Sequence, residues 1–282
     1  MGEHSVQLRT IKLTLSFDGT DFSGWQRQLN ARTVQGELEE KIALMTGEKS
    51  VIHGAGRTDA GVHALAMTAH FATSSSLSCA VFRRGLNGLL ADSIKILMVE
   101  EVDPSFHARI SARAKVYQYF FSTGEILPPC RRLYCAHLPG PFDLDRARQC
   151  LPYLLGQHDF AGFEASGSRD KTKIGGRGAL RRIFSASLSP VSSPAPEYLF
   201  EICGDGFLRK MVRNIVGTLI EVGQQRMDIT DFANLLLLKD RSQAGPTAPA
   251  CGLFLKEIYY DEIVKTELTT EITESTDITN CN

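Results

Sequence analysis

The sequence predicts a protein of mixed α and β structure, with strands and helices following one another through both halves of the chain. Three stretches carry that prediction. Residues 11–17 alternate apolar and polar side chains, the period-two pattern of a strand with one buried face. From Thr33 to Met45 the apolar residues Val34, Leu38, Ile42 and Leu44 recur at helical spacing. From Phe207 to Val222, Phe207, Leu208, Met211, Val212, Ile215, Val216 and Leu219 form the apolar stripe of an amphipathic helix. A chain of 282 residues can bury a sizeable core, as one large domain or two smaller ones.

In chain order, Asp18-Gly19-Thr20 supplies the turn that ends the first strand. Gly24-Trp25-Gln26-Arg27-Gln28 then sets the only tryptophan beside a polar, basic run. Thr33 suits the N-cap of the first helix and Gly47 its end. Gly54, Gly56, Arg57, Asp59 and Gly61 crowd into one short segment between apolar stretches. Two readings of that segment stand side by side. In one, Asp59 caps a helix beginning near Ala60. In the other, glycines that permit close approach combine with a cation and a carboxylate to hold a polar ligand. Neither a complete phosphate-binding loop nor a complete dinucleotide fingerprint is present, which weakens a nucleotide reading.

Strands are predicted at 67–71 and 93–99, a short helix at 81–89, and a boundary at Asp103-Pro104. The second half opens with a β-prone run at 115–121, followed by helical spacing over 143–155. Residues 164–182 read as a glycine-rich basic loop, with Arg169, Lys171, Lys173, Arg177, Arg181 and Arg182 against Asp170. Residues 185–189 and 198–203 read as paired strands joined by a Pro/Ser-rich turn. On the final helix, Arg209, Lys210, Arg213, Asn214 and Gly217 are predicted to share the face opposite the apolar stripe. That face is either solvated or turned toward phosphates, and its lack of nearby acids favours phosphates.

The composition, 43% hydrophobic and 22% charged, is that of an ordinary soluble globular protein. The net charge of -1 hides an asymmetry: Asp261, Glu262, Glu267, Glu271, Glu274 and Asp277 stand against Lys265 alone, leaving the body mildly basic. A basic body is compatible with a nucleic-acid partner. Seven cysteines without a C-x-x-C pair argue for reduced thiols, a cytoplasmic setting and no zinc ribbon. No run reaches the length of a transmembrane helix, and the polar first ten residues lack a signal peptide's apolar core.

Taken together, ordered blocks of the sequence resemble the tRNA pseudouridine synthase A family. They are Asp18-Gly19-Thr20, Gly24-Trp25-Gln26-Arg27-Gln28, Thr33-Val34-Gln35, and above all the run from Gly54 through Arg57 and Asp59 to Ala64. Further along come Phe106-His107-Ala108-Arg109, Tyr117-Gln118-Tyr119, residues 156–160, residues 211–217 and residues 247–253. The resemblance reaches from about residue 11 to residue 260, and the glycine-rich loop is longer than is usual in that family.

The resemblance implies an α+β pseudouridine synthase fold: two similar halves whose sheets join around a basic cleft. The expected division is an N-terminal domain of residues 1–103, a C-terminal domain of residues 104–264 with its basic loop, and an acidic, disordered tail of residues 265–282. The activity implied is isomerisation of uridine to pseudouridine at nucleotides 38–40 of the tRNA anticodon stem and loop, by a homodimer that needs no cofactor and no metal. Asp59 matches the family's nucleophile and Arg213 the arginine that partners its charge. Arg57 matches the residue that fills the space left by a flipped base, and Tyr117 the aromatic that stacks on the uracil. Arg27, the 169–182 loop and the pair Arg209 and Lys210 are then expected to contact the RNA. A metal site from His53, Asp59, His63 and His70 fits no standard ligand spacing, and serine-hydrolase chemistry lacks its G-x-S-x-G turn. The alternative of another class is a non-catalytic RNA-binding or tRNA-folding protein on the same scaffold.

Overall fold

The structure, a computed structural model, describes residues 8–167, 177–191 and 196–261. The first predicted strand is β1 (Arg9–Phe17), followed by helix α1 (Val34–Thr46). Thr33 caps α1 by accepting from the amide of Gly36, and Gly47 closes it in the left-handed conformation. The short β2 (His53–Gly54) leads into the Asp59 loop, and β3 (His63–Thr73) leaves it. Helix α2 (Cys79–Leu89) and β4 (Ile94–Val102) complete the first half.

The second half begins with β5 (Ala114–Ser122) and β6 (Ala136–His137). The single helix expected over 143–155 is two pieces, α3 (Leu144–Arg148) and α4 (Leu151–Leu154). Pro152, which has no amide hydrogen, sits at the start of the second piece, where that lack costs nothing. Next come β7 (Gly156–Asp159), β8 (Leu180–Val191) and β9 (Glu197–Gly204), the last two paired antiparallel as predicted. Helices α5 (Met211–Gly223) and α6 (Ile229–Leu238) precede the final strand β10 (Leu253–Tyr259).

The described strands belong to one mixed sheet, in the order β4-β1-β3-β10-β5-β9-β8-β7, with β2 on β3 and β6 on β5. The two halves meet at β10, which runs parallel to β3 and antiparallel to β5. This is the α+β architecture of joined sheets. Strand alternation turns Ile11, Leu13, Leu15 and Phe17 of β1, and Tyr119 and Phe121 of β5, to one face. Val34, Leu38 and Ile42 of α1 and Met211, Ile215, Val216 and Leu219 of α5 bury themselves in the same core, so the helices cover that face. On the other face Ala114, Val116 and Cys203 form a small separate cluster with Tyr259.

Three expectations are corrected. No helix begins near Ala60: residues 60 and 61 form a turn and the chain enters β3 at His63, so Asp59 caps nothing. Helix α5 starts at Met211 rather than Phe207, because Lys210 adopts left-handed backbone angles and leaves Arg209 and Lys210 in the preceding turn. The Asn214 and Gly217 part of its polar face is covered by other segments rather than solvated. Asn214 is fully buried, donates to Phe163 O at 2.7 Å and accepts from Thr247 at 2.7 Å. A Cβ on Gly217 would lie 1.7 Å from the Pro246 oxygen, so segment 245–248 lies directly on the helix there.

Candidate active site

The Asp59 loop is held by backbone bonds from three parts of the chain. Ala55 donates to Thr68 O at 2.8 Å, Trp25 donates to Thr58 O at 3.2 Å, and Gly61 donates to Phe22 O at 3.3 Å. Gly24 has a φ of 91°, and a Cβ there would stand 2.5 Å from Thr58 O. The Gly24-Trp25 pair is thus the shelf on which the loop rests, and the buried Trp25 ring fills the space beside Gly54. Two distant sequence blocks become one piece of structure for steric reasons.

The loop lines a cleft of about 930 Å³ on the helix-covered face, between the two halves. Asp59 and Arg213, far apart in sequence, meet there: Arg213 Nη1 donates to Asp59 Oδ2 at 3.1 Å. The Arg213 side chain is only 13% exposed, and its Nε donates to Ala248 O at 2.7 Å. Ala248 N returns a bond to Arg213 O at 3.1 Å. The guanidinium is therefore fixed from both ends, which orients it toward the carboxylate. It projects from the first turn of α5, whose positive end also favours a carboxylate. Arg209 Nε stands 3.9 Å from the other Asp59 oxygen.

Tyr117, on β5, lines the same cleft and stacks edge-on against Phe207, with ring centroids 5.0 Å apart. Burial, reinforced by the Asp59 charge, raises its phenol well above the usual range, so the hydroxyl keeps its proton. Arg57 is exposed at the cleft edge, and Lys210 joins it on the lining. Arg27 lies outside the lining and is paired with the buried Glu39 at 2.8 Å. That carboxylate also accepts from the Ile52 amide at 3.0 Å, just before the loop.

Arg181 and Arg182 are not in a loop. They are paired residues of β8, opposite His158 and Gln157 of β7. Adjacent strand positions point to opposite faces, and only Arg181 lines the cleft. Arg169, Lys171, Lys173 and the acidic tail lie outside the described residues.

The histidines are packed for other purposes. His63 is buried, accepts from Gly19 N at 3.1 Å and stacks on Phe254. His70 stacks on His53 and meets His107 edge-on, accepting from Ala108 N at 3.2 Å. Among the described residues, no group of three or more histidine, cysteine or acidic side chains is placed to hold a metal ion. Nor is any described helix long and apolar enough to cross a membrane.

A profile of the tRNA pseudouridine synthase family matches residues 14–110 and 151–261. The chain belongs to that family. Among its relatives, tRNA pseudouridine synthase A 1 of Desulfotalea psychrophila is 48% identical over 253 residues, which cover 90% of this chain and all of the relative. tRNA pseudouridine synthase A of a Geobacter species (strain M21) is 44% identical over 90% of this chain and all of its own length. tRNA pseudouridine synthase A of Ligilactobacillus salivarius is 41% identical over 89% of this chain and 96% of its own.

For a tRNA pseudouridine synthase, the cleft contains more than sequence reasoning selected. Gln26, Gln28, Arg109, Lys115, Glu164 and Phe207 all line it. The sequence pattern puts Phe207 on a helix stripe and Lys115 in an ordinary strand. Strand alternation with Tyr117 was the signal that would have placed Lys115 on the cleft face.

Proposed function

We propose that this protein converts uridine to pseudouridine in the anticodon stem and loop of tRNA, with Asp59 as the nucleophile. The observation that carries the reading is the ion pair of Asp59 with a doubly anchored Arg213 on the wall of a cleft that Tyr117 also lines. The reaction breaks the bond from N1 to C1′, turns the uracil and rejoins it through C5. The C5 proton is lost and N1 gains one, so every atom is conserved and no electron donor is consumed. A carboxylate kept charged by neighbouring arginines is suited to attack C1′ or C6, or to promote elimination to a glycal. The Tyr117 ring is suited to stack on the base, and its protonated hydroxyl to relay a proton. A stem uridine must first leave the helix at a cost of a few kcal/mol, and Arg57, exposed beside Asp59, is suited to fill its place. Arg181, Arg209 and Lys210 serve as phosphate contacts. Family resemblance further supports a homodimer working in the cytoplasm, its chain divided near residue 103.

The test is to incubate the protein with unmodified tRNA transcripts and map the pseudouridines formed. We expect product in the anticodon arm with the wild type and none with Asp59→Asn, which still binds tRNA. Product confined to another arm, or retained by Asp59→Asn, defeats the reading.

A further inference from the structure

Lys115 shares with Tyr117 the face of β5 that lines the cleft. It is partly buried, and its Nζ donates to Ala55 O at 2.6 Å, at the start of the Asp59 loop. That bond uses one of the three hydrogens of the ammonium. Gly56 packs close over it, since a Cβ there would lie 3.4 Å from Nζ, and the side chain still lines the cleft.

The charges around this group do not match a purely internal role. Among the described residues, the charges acting on it are cations, Arg109 from the segment before β5 and Arg181 from β8. Two acids line the same cleft. Asp59 is engaged by Arg213 and Arg209, and among the described residues neither Asp59 nor Glu164 makes an ion pair with Lys115. Burial, and then these two arginines, push the ammonium down to about 8. A cation partly removed from water and set among cations is unfavourable until an anion arrives. To fasten Ala55 alone, a neutral donor would serve without that cost.

We propose that Lys115 binds a phosphate of the tRNA backbone beside the uridine held in the cleft, and that the same ammonium couples this phosphate to the Asp59 loop through Ala55. The proposal rests on the tRNA-modifying reading above. It makes Lys115 a substrate-binding residue as well as a positioning one, within a cationic group completed by Arg109 and Arg181.

The test uses the full chain and an anticodon-arm RNA carrying a neutral methylphosphonate at one backbone position at a time. Wild type should lose about tenfold or more in affinity at one position near the target uridine, the scale of a charge-assisted contact. Lys115→Met should bind the unmodified RNA correspondingly more weakly and be indifferent to the methylphosphonate at that position. Its plot of log affinity against log salt should flatten by about one unit, whereas Lys115→Arg should retain the slope. A merely structural lysine would leave both readouts unmoved. The wild-type arm needs no variant to fold: uniform insensitivity to methylphosphonates near the target overturns the proposal. Wild-type turnover on the same RNA is measured alongside. An active enzyme without a sensitive position overturns the Lys115 assignment alone, and an inactive one overturns the functional reading with it.

Discussion

At the scale of single residues, the candidate site depends on how firmly one guanidinium is held. Arg213 spends its Nε on Ala248 O and an Nη on Asp59, so its plane is set before any substrate arrives. Lysine carries the charge but has neither the planar fork nor the second anchor. We therefore expect Arg213→Lys to lower kcat by about 10- to 100-fold while tRNA affinity changes little, as single-turnover kinetics and filter binding would show. Unchanged kcat would mean that the pair is only structural. Asp59→Asn should lower turnover by more than about a thousandfold, the loss typical of removing a nucleophile. The chemistry-bearing residues of the loop were legible in the sequence because glycines flank charges there. Which arginine meets Asp59 was not legible from spacing, since the contact is made through the fold.

At the scale of elements, α5 and the segment across it form one unit. The Gly217→Ala methyl would collide with Pro246 O, displacing segment 245–248 and with it the Ala248 carbonyl that anchors Arg213. This substitution should destabilise the protein by roughly 1–3 kcal/mol or more, read from urea unfolding, and should lower kcat in whatever protein remains folded. The covering of Asn214 on α5 was not legible in the sequence because its partners, the Phe163 carbonyl and the Thr247 hydroxyl, come from segments distant on either side of the helix. The histidine cluster makes a second element-scale prediction. Burial, aided by the nearby His107 and His53, brings His70 on β3 down to about 4. Its folded pKa lies below the unfolded value of about 6.5. The unfolded chain thus binds more protons between these values, and the contribution to stability is present above pH 6.5 and lost as pH falls toward 4. Urea midpoints should drop over that window, and the drop should shrink in His70→Gln. An equal drop in the variant would assign the acid sensitivity elsewhere.

For the whole molecule, the single sheet matters more than either half alone. Strand β10 brings Leu253 to the cleft and zips β3 to β5, so Asp59 and Tyr117 become neighbours only when both halves pair with the last strand. The same geometry separates two arginines adjacent in sequence. Arg181→Ala should weaken binding to all substrate tRNAs alike and reduce the salt slope by about one, while Arg182→Ala should change neither. Equal effects would show that β8 presents both side chains to the RNA.

By itself the sequence determined the local elements and the inventory of chemistry. Thr33 and Gly47 bound α1, alternation marks β1, and the glycine-flanked Arg57 and Asp59 announce a ligand-holding loop, because caps, periodicity and turn chemistry act over a few residues. The tertiary structure decided everything that depends on contacts between distant segments. It turned the expected helix after Asp59 into β3, shortened α5 so that Arg209 and Lys210 sit in the turn beside Asp59, and moved Arg181 and Arg182 from a loop into a strand. It also placed the unannounced Lys115 beneath the loop. Such outcomes are set by which backbone pairs in the sheet and which side chain can approach a bare glycine, and neither is encoded at short range.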